Sequence, residues 1–109
     1  MGTRAQVFIK DTGVYLYQHY DGYNLYETVV AALKKKMRWD DPEYLARIIF
    51  DEMTKDYRGE EAGFGIGTTE QGDIEFLIEM DCERQMITHF NVGSGGPVKI
   101  SQKSFSDVI

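Results

Sequence analysis

Two short runs near the start of the chain alternate between apolar and polar positions. Residues 5–10 (AQVFIK) and 14–20 (VYLYQHY) each read as a strand. Asp11-Thr12-Gly13 between them has the composition of a tight hairpin loop. Alternate side chains of a strand point to opposite faces. Val14, Leu16, Gln18 and Tyr20 therefore share one face, and Tyr15, Tyr17 and His19 share the other. After Asp21-Gly22 the spacing changes. Leu25, Val29, Leu33 and Met37 recur at every fourth position, with Tyr26 and Val30 beside them, which predicts a helix over 24–37. Lys34, Lys35, Lys36 and Arg38 close it, where positive charge complements the helix dipole. Asp41 as cap and Pro42 in the first turn predict a second helix, with Leu45, Ile48, Ile49 and Met53 as its buried stripe to about Tyr57. Arg47, Asp51 and Lys55 fall on its wet face.

From Gly59 onward the chain turns strand-like again. Residues 62–68 (AGFGIGT) form a glycine-rich strand, and Gln71-Gly72-Asp73 a turn. Residues 74–80 (IEFLIEM) alternate, with Ile74, Phe76, Ile78 and Met80 inward and Glu75 and Glu79 outward. A second turn at 82–85 leads into a partner strand over 86–92. Residues 93–109 follow as an edge strand or a flexible tail. The predicted order is β-β-α-α-β-β-β: one α+β domain over 1–109, with an antiparallel sheet of about five strands and two helices on one face. That arrangement leaves the other sheet face partly open, with Tyr15, Tyr17 and His19 on it.

The chain has 109 residues, 42% hydrophobic and 28% charged, an ordinary globular balance that argues against disorder. The net charge of −6 makes direct nucleic-acid binding an unexpected function, because attraction to phosphates needs a basic face. No apolar run approaches the roughly 20 residues of a membrane span, and the start lacks a signal-peptide stretch. The single cysteine, Cys82, excludes an internal disulfide and suits a reducing cytoplasm. It reads as a small residue near a turn.

The densest group of functional side chains runs from Tyr15 to Tyr23. It holds Tyr15, Tyr17, His19, Asp21 and Tyr23, and the hairpin returns Arg4 to the same end. An arginine beside an aspartate and several tyrosines can hold a small anionic ligand, or the charged pair can be structural. His19 and Asp21, two apart, suit a base and its orienter or two metal ligands. A metal site needs three or four ligands, and no further spaced set occurs, so no metal or cofactor is expected. Gly63-x-Gly65-x-Gly67 lacks the spacing of a dinucleotide fingerprint and the Gly-Lys-Ser/Thr of a phosphate loop, and reads as a strand approached closely by another backbone.

The opening Gly2-Thr3-Arg4-Ala5, together with Tyr17-Gln18-His19-Tyr20-Asp21-Gly22-Tyr23, resembles a widespread group of small phage and prophage proteins. Those begin with Ser/Gly-Thr-Arg and a small residue, and continue through a hairpin to His-Trp/Tyr-Asp-Gly-Tyr, usually followed by Pro. Here Tyr20 stands for the Trp and Asn24 for the Pro, and the likeness covers roughly the first 30 residues. It implies an accessory phage protein acting in the bacterial cytoplasm and carries over no functional residue. The expected function is binding of a host protein or complex, such as inhibition of a defence system in the manner of an anti-CRISPR. One alternative is a small-molecule or nucleotide-signal binder, with phosphate on Arg4 and a base on the tyrosines. The other is a metal-dependent hydrolase using His19 and Asp21. Exposed strand edges also leave room for a homodimer.

Overall fold

A computed structural model describes residues 3–56, 63–93 and 97–109. The expected helix end at Tyr57, the strand-like start at 59–62 and the glycine-rich break at 94–96 lie outside the described residues. Strands β1 (Ala5–Ile9) and β2 (Val14–Gln18) form the expected hairpin. Its turn closes through the Thr12 and Gly13 amides on the Ile9 carbonyl, with Gly13 at φ 71°, a conformation that favours glycine. Helices α1 (Leu25–Leu33) and α2 (Pro42–Thr54) follow, then strands β3 (Phe64–Gly67), β4 (Phe76–Asp81), β5 (Met86–Asn91) and β6 (Val98–Ser104), and a last turn of helix, α3 (Phe105–Val108).

The sheet has six strands in the order β3-β2-β1-β4-β5-β6. Every pairing is antiparallel except β1 with β4, which is parallel, so the expected all-antiparallel sheet of five strands becomes a mixed sheet of six. The physical cause lies between β3 and β4. Gln71-Gly72-Asp73 does not fold β4 back beside β3. Instead, segment 68–75 leaves the β3 edge, passes across β2 and β1, and delivers β4 to the far side of β1. Crossing three strand spacings of ~4.8 Å while returning three residues along the sheet needs ~17 Å. A segment of this length reaches ~28 Å when extended, so it has slack to arch over the sheet.

Parity assigns the two faces. Val7, Leu16 and Ile78 stand in one row and Ile9 and Met80 in another, all on the helix side and at most 1% exposed. They pack against Leu25, Val29 and Leu33 of α1 and Leu45, Ile49 and Met53 of α2. Helix α2 starts as expected, with the Tyr44 amide donating to the Asp41 carboxylate at 3.2 Å. Its wet face carries an Arg47–Asp51 ion pair.

Two local expectations are corrected, and an open choice is decided. Helix α1 stops at Leu33, because the Trp39 indole N–H donates to the Leu33 carbonyl at 3.2 Å and Lys36 and Arg38 take positive φ. Met37 is left exposed. Tyr20 does not continue the inward face, because β2 ends at Gln18 and Tyr20 is 58% exposed. Of the two expectations for the C-terminal residues, the edge strand is the one the structure takes, as β6. β6 pairs with β5 along its length, Ser104 caps α3 by accepting from the Asp107 amide, and Phe105 is wholly buried with its ring edge-on to Trp39 at 5.6 Å.

Candidate functional site

Strand β2 ends because its last side chain turns on its own backbone. The Gln18 amide N–H donates to the carbonyls of Tyr20 at 2.7 Å and Asp21 at 3.1 Å. Gly22 then wraps the chain around Thr3, donating its N–H to the Thr3 carbonyl at 2.8 Å. A Cβ there would stand 2.6 Å from that oxygen, so only glycine fits. On the open-face side, the His19 amide donates to the Gly63 carbonyl, which ties the turn to the start of β3.

This turn brings Arg4, Tyr17 and His19 together. Arg4 Nε lies 3.2 Å from His19 Nδ1 and 3.2 Å from Asp73 Oδ2, and the Tyr17 hydroxyl is 3.2 Å from the same His19 nitrogen. An arginine N–H only donates, so His19 Nδ1 is the acceptor in its contact with Arg4. Burial, and next the charge of Asp73, push the Tyr17 hydroxyl above its usual range against the opposing effect of Arg4. It therefore stays protonated and able to donate near neutral pH.

The other sequence candidates sit apart from this trio. The Asp21 carboxylate accepts from Asn24 Nδ2 at 2.7 Å; neither Arg4 nor His19 bonds it, and Asp73 is the aspartate of the Arg4 ion pair. Tyr15 lies on the open face, stacked on Phe8 at 4.6 Å. Tyr23 lies on the helix side, edge-on to Phe76 at 5.3 Å. His89 is on that side too, stacked on Tyr26 at 4.8 Å, with Nε2 buried and no hydrogen-bond partner among the described residues. Cys82 is buried, and burial first, then nearby aspartates such as Asp11 and Asp81, push its thiol up to about 11, which keeps it an inert packing group.

Four residues not assigned to the site from the sequence line this face, and two of them correct an expectation: Gly65 and Gly67 were expected where another backbone comes close, yet a Cβ there would meet nothing nearer than 4.0 Å. Gln6 is 1% exposed, and both ends of its amide are held by the crossing segment. Its N–H donates to the Thr69 carbonyl at 3.2 Å, and its oxygen accepts from the Gln71 amide at 2.9 Å. Gln71 and the two strand glycines, Gly65 and Gly67, join Gln6, Tyr17 and Ile66 around a cavity of about 310 Å³. The sequence signals for it were the alternate glycines of β3 and Gln6, a polar residue between buried Ala5 and Val7. The segment covers part of the face expected to be partly open, on the side that carries Tyr17.

Among the described residues, no group of three or more His, Cys, Asp or Glu side chains could hold a metal ion, and no helix is long and apolar enough to cross a membrane. No protein-family model matches the chain, and no match was found among curated proteins or solved structures.

Proposed function

We propose that the protein acts by binding another protein through the end of the sheet where Arg4, Tyr20 and Tyr23 emerge. The observation that carries this reading is the exposure of two large aromatic side chains on one short turn. Tyr20 is 58% and Tyr23 is 66% exposed, beside an arginine whose side chain is 37% exposed. Tyrosine and arginine are the residue types that dominate the energetic centres of protein interfaces. Tyrosine combines apolar area with a polar tip and, with only two side-chain torsions, loses little rotamer freedom on burial. Val98, 59% exposed at the start of β6, adds apolar area at the same end of the sheet.

The phage likeness of the first 30 residues supports a host protein as the partner and the bacterial cytoplasm as the place of action, as for an inhibitor of a defence component. A homodimer through β6 is the weaker arrangement. Self-pairing centred on Ser101 would set Lys99 opposite Lys103, and like charges across a strand pair repel.

The test is affinity capture from a host lysate with the wild-type chain and a Tyr20→Ala/Tyr23→Ala variant. The wild type is expected to retain a stoichiometric protein, and the variant to lose it. Recovery of no stoichiometric macromolecule, or equal recovery by both chains, would overturn the proposal.

A further inference from the structure

The cavity beneath segment 68–75 lies apart from the turn of Tyr20 and Tyr23, and its floor is unusual in one respect. At Gly13, Gly22 and Gly63 the fold uses glycine for a conformational or steric reason. Gly13 and Gly63 have φ of 71° and 77°, a Cβ on Gly63 would stand 2.8 Å from the His19 Cβ, and one on Gly22 would collide with the Thr3 carbonyl. Gly65 and Gly67 have neither reason. Neither has positive φ. A Cβ on Gly65 would meet nothing nearer than the Tyr17 Cβ at 4.0 Å, and one on Gly67 would meet nothing within 4 Å. Glycine weakens a strand, because it restricts the unfolded chain least and offers no side chain to pack. At these two alternate positions, paired with Tyr17 and Tyr15, what glycine provides is the space over the strand.

That space has a defined chemistry. The bare backbone of β3 makes a flat floor, and the Tyr17 ring stands as a wall. Gln6 keeps one N–H and one lone pair beyond its bonds to Thr69 and Gln71, and the Gln71 side chain makes no hydrogen bond among the described residues. Donors and acceptors are thus both present, an aromatic face is available for stacking, and none of the six lining residues is charged. At about 310 Å³ the cavity is at the small end for ligand sites, which run from roughly 300 to 1,000 Å³. We propose that it binds an uncharged, planar heteroaromatic ring with a donor–acceptor edge, the chemistry of a nucleobase.

Such a ring reaches the protein as a nucleoside or as a nucleotide. Arg4, the cation next to Tyr17 and His19, is already paired with the Asp73 carboxylate, which a phosphate would have to displace. The geometry therefore favours the nucleoside.

The test is calorimetric titration of the full chain with adenosine, guanosine, cytidine and uridine, and with their 5′-monophosphates. The same titrations are run on Gly67→Val, whose side chain fills the floor. At least one nucleoside is expected to bind, its monophosphate no more tightly. Gly67→Val is expected to weaken binding at least tenfold while its melting temperature stays level or rises. A tighter monophosphate whose advantage disappears in Arg4→Gln would place a nucleotide in the same site. Absence of nucleoside and nucleotide binding at millimolar concentration would overturn the proposal. Binding by Gly67→Val equal to the wild type would overturn it too. A lowered melting temperature of Gly67→Val would give that glycine a structural reason and remove the argument. None of these outcomes involves Tyr20 or Tyr23, so protein capture stands or falls separately.

Discussion

Replacing Gln6 by leucine separates the crossing segment from the sheet without removing the sheet's own support. Gln6 is 1% exposed, and its amide makes two hydrogen bonds, at 3.2 Å to the Thr69 carbonyl and at 2.9 Å from the Gln71 amide. Each contributes ~0.5–1.5 kcal/mol net, so the clamp is worth ~1–3 kcal/mol to the closed position of the segment. Thr69 and Gln71 are themselves exposed, so their released polar groups find water rather than remaining buried and unpaired. Leucine at position 6 gains ~1.5–3 kcal/mol from burying an apolar side chain, a term of similar size and opposite sign. Global stability of Gln6→Leu is therefore expected to stay within ~1 kcal/mol of the wild type, while local opening of the segment becomes more frequent, by up to ~150-fold in the limit where the new leucine keeps its burial against the neighbouring strands. The assay is amide hydrogen exchange by NMR, read at Gln71 and, as controls, at β1 and β4 amides, beside a urea melt of both proteins. Unchanged exchange at Gln71 would refute the clamp. Equal acceleration at Gln71 and the control amides would show that Gln6 supports the whole sheet instead.

Phe105→Ala is expected to cost ~3–5 kcal/mol, because the ring is fully buried from the last helical turn; a urea midpoint within error of the wild type would contradict that packing. Gly22→Ala is expected to destabilise by ~1–3 kcal/mol, since its Cβ would stand 2.6 Å from the Thr3 oxygen, and a neutral thermal shift would contradict the tight turn. Burial holds the His89 ring below its usual value of 6.5, so the unfolded chain takes up the proton first. Stability from this group is complete above that pH and is lost as pH falls through the lowered folded value; His89→Phe, which keeps the stacking, should flatten the melting temperature between pH 7 and pH 5. At Asp81, burial raises the carboxyl, but the Arg84 amide and Lys10 outweigh it and hold the group below its usual 3.8. Asp81→Asn should therefore weaken the protein near neutral pH and narrow its loss of stability in acid, measured by melting at pH 7 and pH 3.

The elements with a local cause were legible in the sequence. Alternation fixed the hairpin and put Tyr15 and Tyr17 opposite Leu16, and Asp41-Pro42 marked the start of α2. The features that were missed depend on contacts distant along the chain. A turn of Gln-Gly-Asp composition reads the same whether the chain reverses beside its last strand or crosses two others, so the parallel β1–β4 pair left no signature. Arg4 had an aspartate nearby in sequence, Asp21, yet Asp73 reaches it because the crossing segment passes there. The end of α1 carries no glycine, and its cap comes from Trp39. The buried role of Phe105 was equally silent, since a single aromatic after a polar edge strand has no periodicity. At the site, Arg4, Tyr17 and His19 were found from the hairpin alone, whereas Gln6, Gly65, Gly67 and Gln71 gain meaning only once the segment lies above them.

Everything in the site depends on the chain crossing its own sheet, and the most direct measurement reads the two ends of the parallel ladder this creates. In an isotope-labelled sample, scalar couplings across hydrogen bonds should link the Glu75 amide to the Arg4 carbonyl and the Lys10 amide to the Met80 carbonyl, bonds of 2.7 and 3.0 Å. Both couplings are the expected result. Their absence, with β4 coupled to β3 instead, would mean a simple hairpin and no cavity.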